Sequence, residues 1–281
     1  MKKIFSNKKI LILGSNGFLG QYLFDELALR GCKVFGSIRK QDQVFKNRYV
    51  LDLDNNMAVK KFPWKNFDII VDCSGFINYD KTVESVIKNI KSNTLIPLRI
   101  ISLLNKKQKY FYCSTHAVFS QEAQHNAYSL SKLMFERCIQ TIEKVMPKVT
   151  ILRLPGLFHQ SRKTGLLNLI RKYFVLKKPL VIDFVLEKWH TMYLPRVVDI
   201  IITAMLAKNV PIFVNIGYPL ETNIVAIIKV AEQFFKYAIP INLKNKANNR
   251  YLPNLKNQEL FYKTTTDDFK EDLTHFFKSK L

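Results

Sequence analysis

Tyr128 and Lys132 frame the stretch Tyr128-Ser-Leu-Ser-Lys132. A spacing of four puts phenol and ammonium on one face of a helix, a single turn apart. An ammonium so placed can depress a phenol electrostatically, and bringing one from ~10 to ~7 takes about 4 kcal/mol of differential stabilisation. The pair suits proton exchange with an alcohol or carbonyl oxygen. Alone it recurs by chance on surface helices, so its surroundings matter. Before it, Tyr110-Phe-Tyr-Cys113-Ser114-Thr115-His116 reads as a strand ending in hydroxyl residues. Such strand ends line the ligand crevice of a parallel sheet.

A second motif lies near the start, where Gly14-Ser15-Asn16-Gly17-Phe18-Leu19-Gly20 follows the apolar run Ile10 to Leu13. Three glycines at this spacing, between a strand and a helix, let a pyrophosphate approach the amides of the helix N-terminus. In dinucleotide folds an acid at the end of the second strand holds the ribose 2′-hydroxyl and repels a 2′-phosphate. Here that strand ends Ser37-Ile38-Arg39 without an acid. A hydroxyl and a bidentate guanidinium suit a phosphate dianion, so NADP(H) is expected over NAD(H).

The elements that must position these groups are read from alternation. Strands are expected at Lys9 to Leu13, Lys33 to Ile38, Arg48 to Leu51, Ile69 to Asp72, Tyr110 to Cys113, Thr150 to Leu154 and Ile212 to Asn215. Amphipathic helices fall between them, at Phe18 to Arg30, about Asp80 to Leu104, about Ala127 to Val145 and Val197 to Lys208, with another after Thr222. This is an α/β chain, a Rossmann-type doubly wound parallel sheet. Two aromatic and basic regions, Phe158 to Tyr193 and the tail from about Tyr237, interrupt the alternation. They predict a dinucleotide-binding domain over 1–157 and a small discontinuous C-terminal substrate lobe over 158–281, with 194–217 returning to the first domain.

In order and spacing these motifs resemble the extended short-chain dehydrogenase/reductases, the epimerase/dehydratase/reductase group acting mainly on nucleotide-activated sugars. The matches are Gly14 to Gly20, Asp52-Leu53, Cys73-Ser74-Gly75, Asn93, Ser114-Thr115, Tyr128 with Lys132, Arg153-Leu154-Pro155 and Asn215-Ile-Gly217. The resemblance implies Tyr128 as general acid/base, Lys132 as the group that binds the nicotinamide ribose and tunes the phenol, and Thr115 as hydrogen-bond donor to the substrate oxygen. It implies cofactor contacts at the glycine turn, Asp52, Leu53, Cys73, Ser74, Gly75, Asn93, Leu154 and Pro155. It further implies a nucleotide-sugar substrate and a homodimer built on the helices of 80–104 and 127–145.

Departures from the family pattern narrow the reaction. Where its 4,6-dehydratases carry an Asp-Glu pair after the threonine, this chain has His116 and Ala117, which disfavours dehydration. Pro195 and Arg196 replace acids usual before the following helix. An NADPH-dependent keto-sugar reductase is the leading expectation. An NAD-dependent nucleotide-sugar epimerase is the alternative, and a non-catalytic nucleotide-sensing or nucleic-acid-binding module is the alternative of another class. His116, His159, Arg162, Trp189 and His190 are candidate substrate residues, although each reads equally well as a packing residue.

The formal net charge is +22 over 281 residues, with lysines scattered rather than massed. Such a charge suits an anionic partner without choosing among nucleic acid, an acidic membrane face and a phosphorylated ligand. The plainer reading is a solvated lysine-rich surface, with no nucleic-acid partner expected and peripheral membrane contact compatible with it. No run approaches the ~20 apolar residues of a membrane span, and no secretory leader is read at the start. Four separated cysteines suit a reduced cytoplasmic protein, and their spacing to histidine suggests no metal.

Overall fold

The computed structural model describes residues 7–39, 46–119, 126–142, 147–162, 164–186, 190–220, 223–247 and 254–279. Stretches too apolar for one-sided exposure form its central strands. In β1, Lys9–Leu13, every residue after the lysine is buried, and in β4, Ile69–Asp72, all four are. With β2 (Lys33–Ile38), β3 (Arg48–Val50), β5 (Lys109–Thr115), β6 (Lys148–Leu154) and β10 (Phe213–Asn215) they make a seven-stranded sheet ordered β10-β6-β5-β4-β1-β2-β3. Strands β2 and β4 pair in parallel on either side of β1, and β5 continues beyond β4. The winding therefore reverses between β1 and β4, the switch point at which doubly wound sheets bind ligands beyond the carboxyl ends of their strands. The doubly wound α/β reading holds.

The chain divides into two compact units, 1–153 with 201–214, and 154–200 with 215–281. In the first, helix α1 (Phe18–Leu29) follows the glycine turn and α5 (Ala127–Thr141) carries the Tyr/Lys pair. The expected helix over 80–104 is α3 (Val83–Ile90), a π-helical turn at Lys91–Leu95 and α4 (Ile96–Ser102). Its core joins Leu11, Leu13, Ile70, Tyr112, Phe135 and Ile151, each worth roughly 1.5–3 kcal/mol when fully buried.

The second unit holds elements that periodicity did not resolve. Short strands β7 (Gly156–Phe158) and β9 (Thr191–Tyr193) pair in parallel, as do β8 (Leu180–Leu186) and β11 (Ile241–Ala247). Helices α6 (Leu166–Leu176), α8 (Ile224–Phe235) and α10 (Thr266–Lys278) meet through aromatic rings. Phe174 stacks on Phe235 at 5.3 Å, and Phe235 meets Phe277 edge-on at 5.7 Å. Asn223 starts α8 by accepting from the amide of Ala226, and a Thr265/Asp268 capping box starts α10.

Arg196, at the start of α7 (Leu194–Leu206), finds its acids on α10 rather than beside it in sequence. Its guanidinium donates to both oxygens of buried Asp272, at 2.7 and 2.9 Å, and reaches Asp268 at 2.9 Å. The Tyr218 hydroxyl donates to the same Asp272 carboxylate at 2.5 Å. The replacement of acids by Arg196 is thus answered by carboxylates on another helix, a bidentate pairing that favours arginine.

Candidate active site

The glycine turn is shaped by what its glycines leave out. Gly14 adopts φ +68°, a left-handed conformation costly for side-chain-bearing residues. A Cβ on Gly20 would stand 2.2 Å from the carbonyl oxygen of Gly14, so α1 starts closer to β1 than any alanine permits. Gly17 caps α1 without a side chain, which suits the first amides of the helix to an anion. Replacing Gly20 by alanine should force this turn open, costing about 1–3 kcal/mol of stability and most of the dinucleotide affinity. A thermal melt with an NADPH titration measures both.

Beside the turn is a cavity of about 310 Å³ in which Gly14, Asn16, Ser37, Arg39, Leu53 and Ser74 come together. Its walls also include Ile38, Leu51, Asp54, Ser92 and Ile96, none of them picked out as site residues from sequence. Asp54 changes the expected charge of this cavity. Its carboxylate lies 3.9 Å from the Arg39 guanidinium and 2.9 Å from the Lys91 ammonium. Ser37 is buried, with its hydroxyl accepting from the amide of Gly14 and its carbonyl accepting from Ser15. Ser15 is likewise buried behind the turn, while Phe18 and Leu19 are half-buried on α1. Asp52 accepts from the backbone of Asp54 at 3.1 Å and thereby shapes the turn after β3.

Asn93 acts as a clamp. It accepts from the amide of Phe76 at 2.9 Å and donates to the carbonyl of Phe76 at 2.8 Å and to the Ser131 hydroxyl at 3.0 Å. Its own carbonyl accepts from the Tyr112 hydroxyl. One π-turn residue therefore joins the Gly75-Phe76 segment to α5. Cys73 and Cys113 occupy the ends of neighbouring strands, with their sulfurs 3.7 Å apart.

Asn126 fixes the first turn of α5 by accepting from the amides of Tyr128 and Ser129. Tyr128 lies with its ring edge-on to Tyr79 at 5.9 Å, and its phenol hydrogen-bonds with the Thr115 hydroxyl. Burial pushes the phenol up, Tyr79 adds to the effect and the Thr115 hydrogen bond offsets part of it. This departs from the depression expected from Lys132. That ammonium is itself buried, donating to the carbonyl of Cys113 at 2.8 Å and lying 4.2 Å from the Tyr112 ring centroid. Burial lowers the Lys132 pKa, against which the Asp72 carboxylate raises it. A Cβ on Gly75 would fall 2.8 Å from the Lys132 Nζ, so the glycine makes room for it.

Glu136 sets the end of β5. It is buried, accepts from the Ser114 hydroxyl at 2.5 Å and is paired with Arg153 at 2.6 Å. The Arg153 guanidinium lies over Phe119 and Phe213, 4.4 and 4.5 Å from their centroids. Glu136, on α5, is not legible from sequence as a site residue because its partners come from two strands, β5 and β6. His116 is buried on a short helical turn after β5. His159 is buried too, its Nδ1 2.7 Å from the Ser161 hydroxyl, and burial lowers its pKa. Arg162 donates to the carbonyl of Leu157, and the carbonyl of His190 accepts from Gly156. Leu154 and Pro155 are buried where β6 ends, and Trp189 lies outside the described residues. Among the described residues no cluster of histidine, cysteine and carboxylate could hold a metal.

Residues 10–217 match the model of the NAD dependent epimerase/dehydratase family. The chain belongs to that family. It is thus an extended short-chain dehydrogenase/reductase, as its motifs led us to expect. A CDP-abequose synthase from Salmonella muenchen is 23% identical over 165 residues, 57% of this chain and 56% of the relative. The chain spans about half the length of that curated relative. Among solved structures, the Thermotoga maritima UDP-glucose 4-epimerase with UDP-glucose is 16% identical, with a TM-score of 0.78 over 96% of this chain and 97% of that one. The Bacillus cereus UDP-glucuronic acid 4-epimerase in complex with UDP-glucuronic acid and NAD is also 16% identical, with a TM-score of 0.76 over 96% and 99%. At these identities the likeness shows the fold. Among the described residues no helix of this family member is long and apolar enough to cross a membrane.

Proposed function

We propose that this family member is an NADPH-dependent reductase of a nucleotide-activated keto-sugar. The observation that supports this reading is the half-buried Tyr128 phenol, hydrogen-bonded with Thr115 and raised by its surroundings. At neutral pH such a phenol holds its proton, which suits a donor to a carbonyl oxygen. The glycine cradle at Gly14 and Gly20 fits a dinucleotide pyrophosphate. When bound, the nicotinamide supplies the hydride. Tyr128 gives its proton to the carbonyl oxygen as an alcohol forms, and Thr115 donates a hydrogen bond to that oxygen. Lys132, buried within reach of Cys113 and Gly75, would hold the nicotinamide ribose and supply positive charge to offset the phenolate left behind. His116 and Ala117, in place of two carboxylates, provide no acid/base pair for loss of water.

Arg39, exposed at the cavity mouth, is the group for a 2′-phosphate. Arg39→Ala should weaken NADPH about 10- to 100-fold, the worth of a charge-assisted hydrogen bond, and leave NADH almost unchanged. Titration of both by fluorescence checks this, and equal losses would remove Arg39 from the phosphate site. One observation favours a second reading, an NAD-dependent epimerase. Asp54 brings a carboxylate into the same cavity, where an acid could hold a ribose 2′-hydroxyl. Tight retention of NAD through purification would support that alternative.

We assign the activity to the cytoplasm, where the Cys73 and Cys113 thiols stay reduced. We take the working assembly to be a homodimer, consistent with the exposed apolar residues Val83 and Ile87 on α3 and Met134 on α5.

A further inference from the structure

Part of the +22 charge is gathered in one place, away from the cavity beside the glycine turn. The parallel sheet gathers the turns that lead into its strands along one edge, at the opposite ends of the strands from the glycine turn. Hydrogen bonding traces a row along that edge. Lys33 lies in register with Lys9, and the carbonyl of Lys9 accepts from Asp68 at 2.9 Å. The carbonyl of Asp68 accepts from Lys109 at 3.0 Å, and that of Gln108 accepts from Lys148 at 3.1 Å. Segments 7–9, 30–33, 62–68, 103–109, 147–148 and 207–212 carry ten lysine or arginine residues and a single carboxylate, Asp68. Lys8 already pairs with that carboxylate at 3.0 Å. The crowding is felt at Lys109, whose pKa is lowered by burial and then by Lys148 and Lys8.

The same edge exposes apolar side chains at the ends of helices and the start of a strand. Leu29 is 80% exposed, Leu206 45%, Ile212 51% and Ile142 39%. A cavity of about 360 Å³ opens beside Ile142 and Ile212, lined also by Phe111, Ile139 and Val149 and by the basic side chains Lys109, Lys148 and Lys208. Basic and apolar groups interleaved on one face match the interface of an anionic bilayer, which attracts lysines by its surface potential and apolar side chains by burial. The composition argues against nucleic acid. Nine of the ten cations are lysine, a compact point charge rather than the bidentate arginine fork. Trp64 and Phe67 on these turns are buried in the core rather than offered to bases.

We infer that the strand-entry edge of the seven-stranded sheet is a docking surface for an anionic membrane. Docking there directs the glycine turn and the end of β5 away from the lipid, so that a soluble substrate reaches the active-site end of the first unit. The inference is independent of cofactor choice and of the reaction.

Co-sedimentation of the full chain with vesicles tests it. The protein should pellet with phosphatidylcholine–phosphatidylglycerol vesicles and not with phosphatidylcholine alone, and added salt should release most of it. Lys33, Lys148 and Lys208 are exposed and outside the cofactor site, so reversing them to glutamate should leave the thermal midpoint and NADPH binding unchanged. The triple variant should bind anionic vesicles at least about 100-fold more weakly, at roughly fivefold per lysine. If charge reversal perturbs folding, the milder Lys33→Gln/Lys148→Gln/Lys208→Gln variant serves the same purpose with a smaller loss. Leu29→Ser with Leu206→Ser should remove the binding that survives salt. Equal pelleting with both vesicle types, salt-independent binding, or full binding by a folded triple variant would overturn the inference. Binding of single-stranded RNA without binding of anionic vesicles would do so as well, assigning the edge to nucleic acid.

Discussion

Replacing Tyr128 with phenylalanine is expected to cut turnover of a keto-sugar by about 10²- to 10⁴-fold, the contribution of a positioned general acid, while NADPH binding stays nearly intact. The substitution removes one hydroxyl and keeps the ring that packs against Tyr79. What is lost is the proton donor and its hydrogen bond with Thr115. Steady-state rates beside a cofactor titration separate chemistry from folding. Unchanged turnover on an identified substrate would remove Tyr128 from the mechanism. A fall in NADPH affinity as large as the fall in rate would make the phenol a structural element of the pocket instead.

The largest expected effect on stability lies in the second unit. Asp272→Ala should cost about 3–5 kcal/mol, because it removes the buried carboxylate that pairs bidentately with the half-buried Arg196 guanidinium and strands the Tyr218 hydroxyl. Asp268, 2.9 Å from the same guanidinium, holds the loss toward the lower figure. A thermal melt should show the midpoint falling by roughly 6–12 °C. Glu271→Gln is the control: this acid is 61% exposed, lies 3.8 Å from Arg196 and is worth less than about 1 kcal/mol. Equal midpoints for the two variants would show that the Arg196 pairing does not hold this unit together.

How much of this was legible in the sequence depends on how local each piece of chemistry is. The glycine turn and the Tyr128/Lys132 spacing are set within single elements, so residue order was enough to find them. The sheet followed from apolar runs that can only be covered on both faces. Asp54 is not legible from sequence as a wall of the cavity beside the glycine turn because its approach to Arg39 and Lys91 depends on three segments meeting. Arg196 looked like a break in the pattern because its partner Asp272 is 76 residues away in the chain. The balance of effects on the Tyr128 phenol is not local either, because burial and Tyr79 raise it while Thr115 offsets part of the rise. Helical spacing places Lys132 on the correct face, but burial and the carbonyl of Cys113 decide what its ammonium does. The strands of the second unit were not legible from periodicity because β7 and β9 are three residues long and β8 pairs with β11 across intervening helices.

The π-helical turn at Lys91–Leu95 has a consequence for how this chain can change length. A π turn behaves as one residue inserted into an α-helix, and each helical residue carries about 100° of rotation. The bulge absorbs that residue locally, so α3 and α4 stay nearly in phase, and deleting one residue within the turn would restore an ordinary helix with its flanking faces kept. What such a deletion would remove is the widened turn from which Asn93 reaches Phe76 and Ser131. The surplus residue therefore acts locally, and its loss would be felt at the one side chain that ties the Gly75-Phe76 segment to α5.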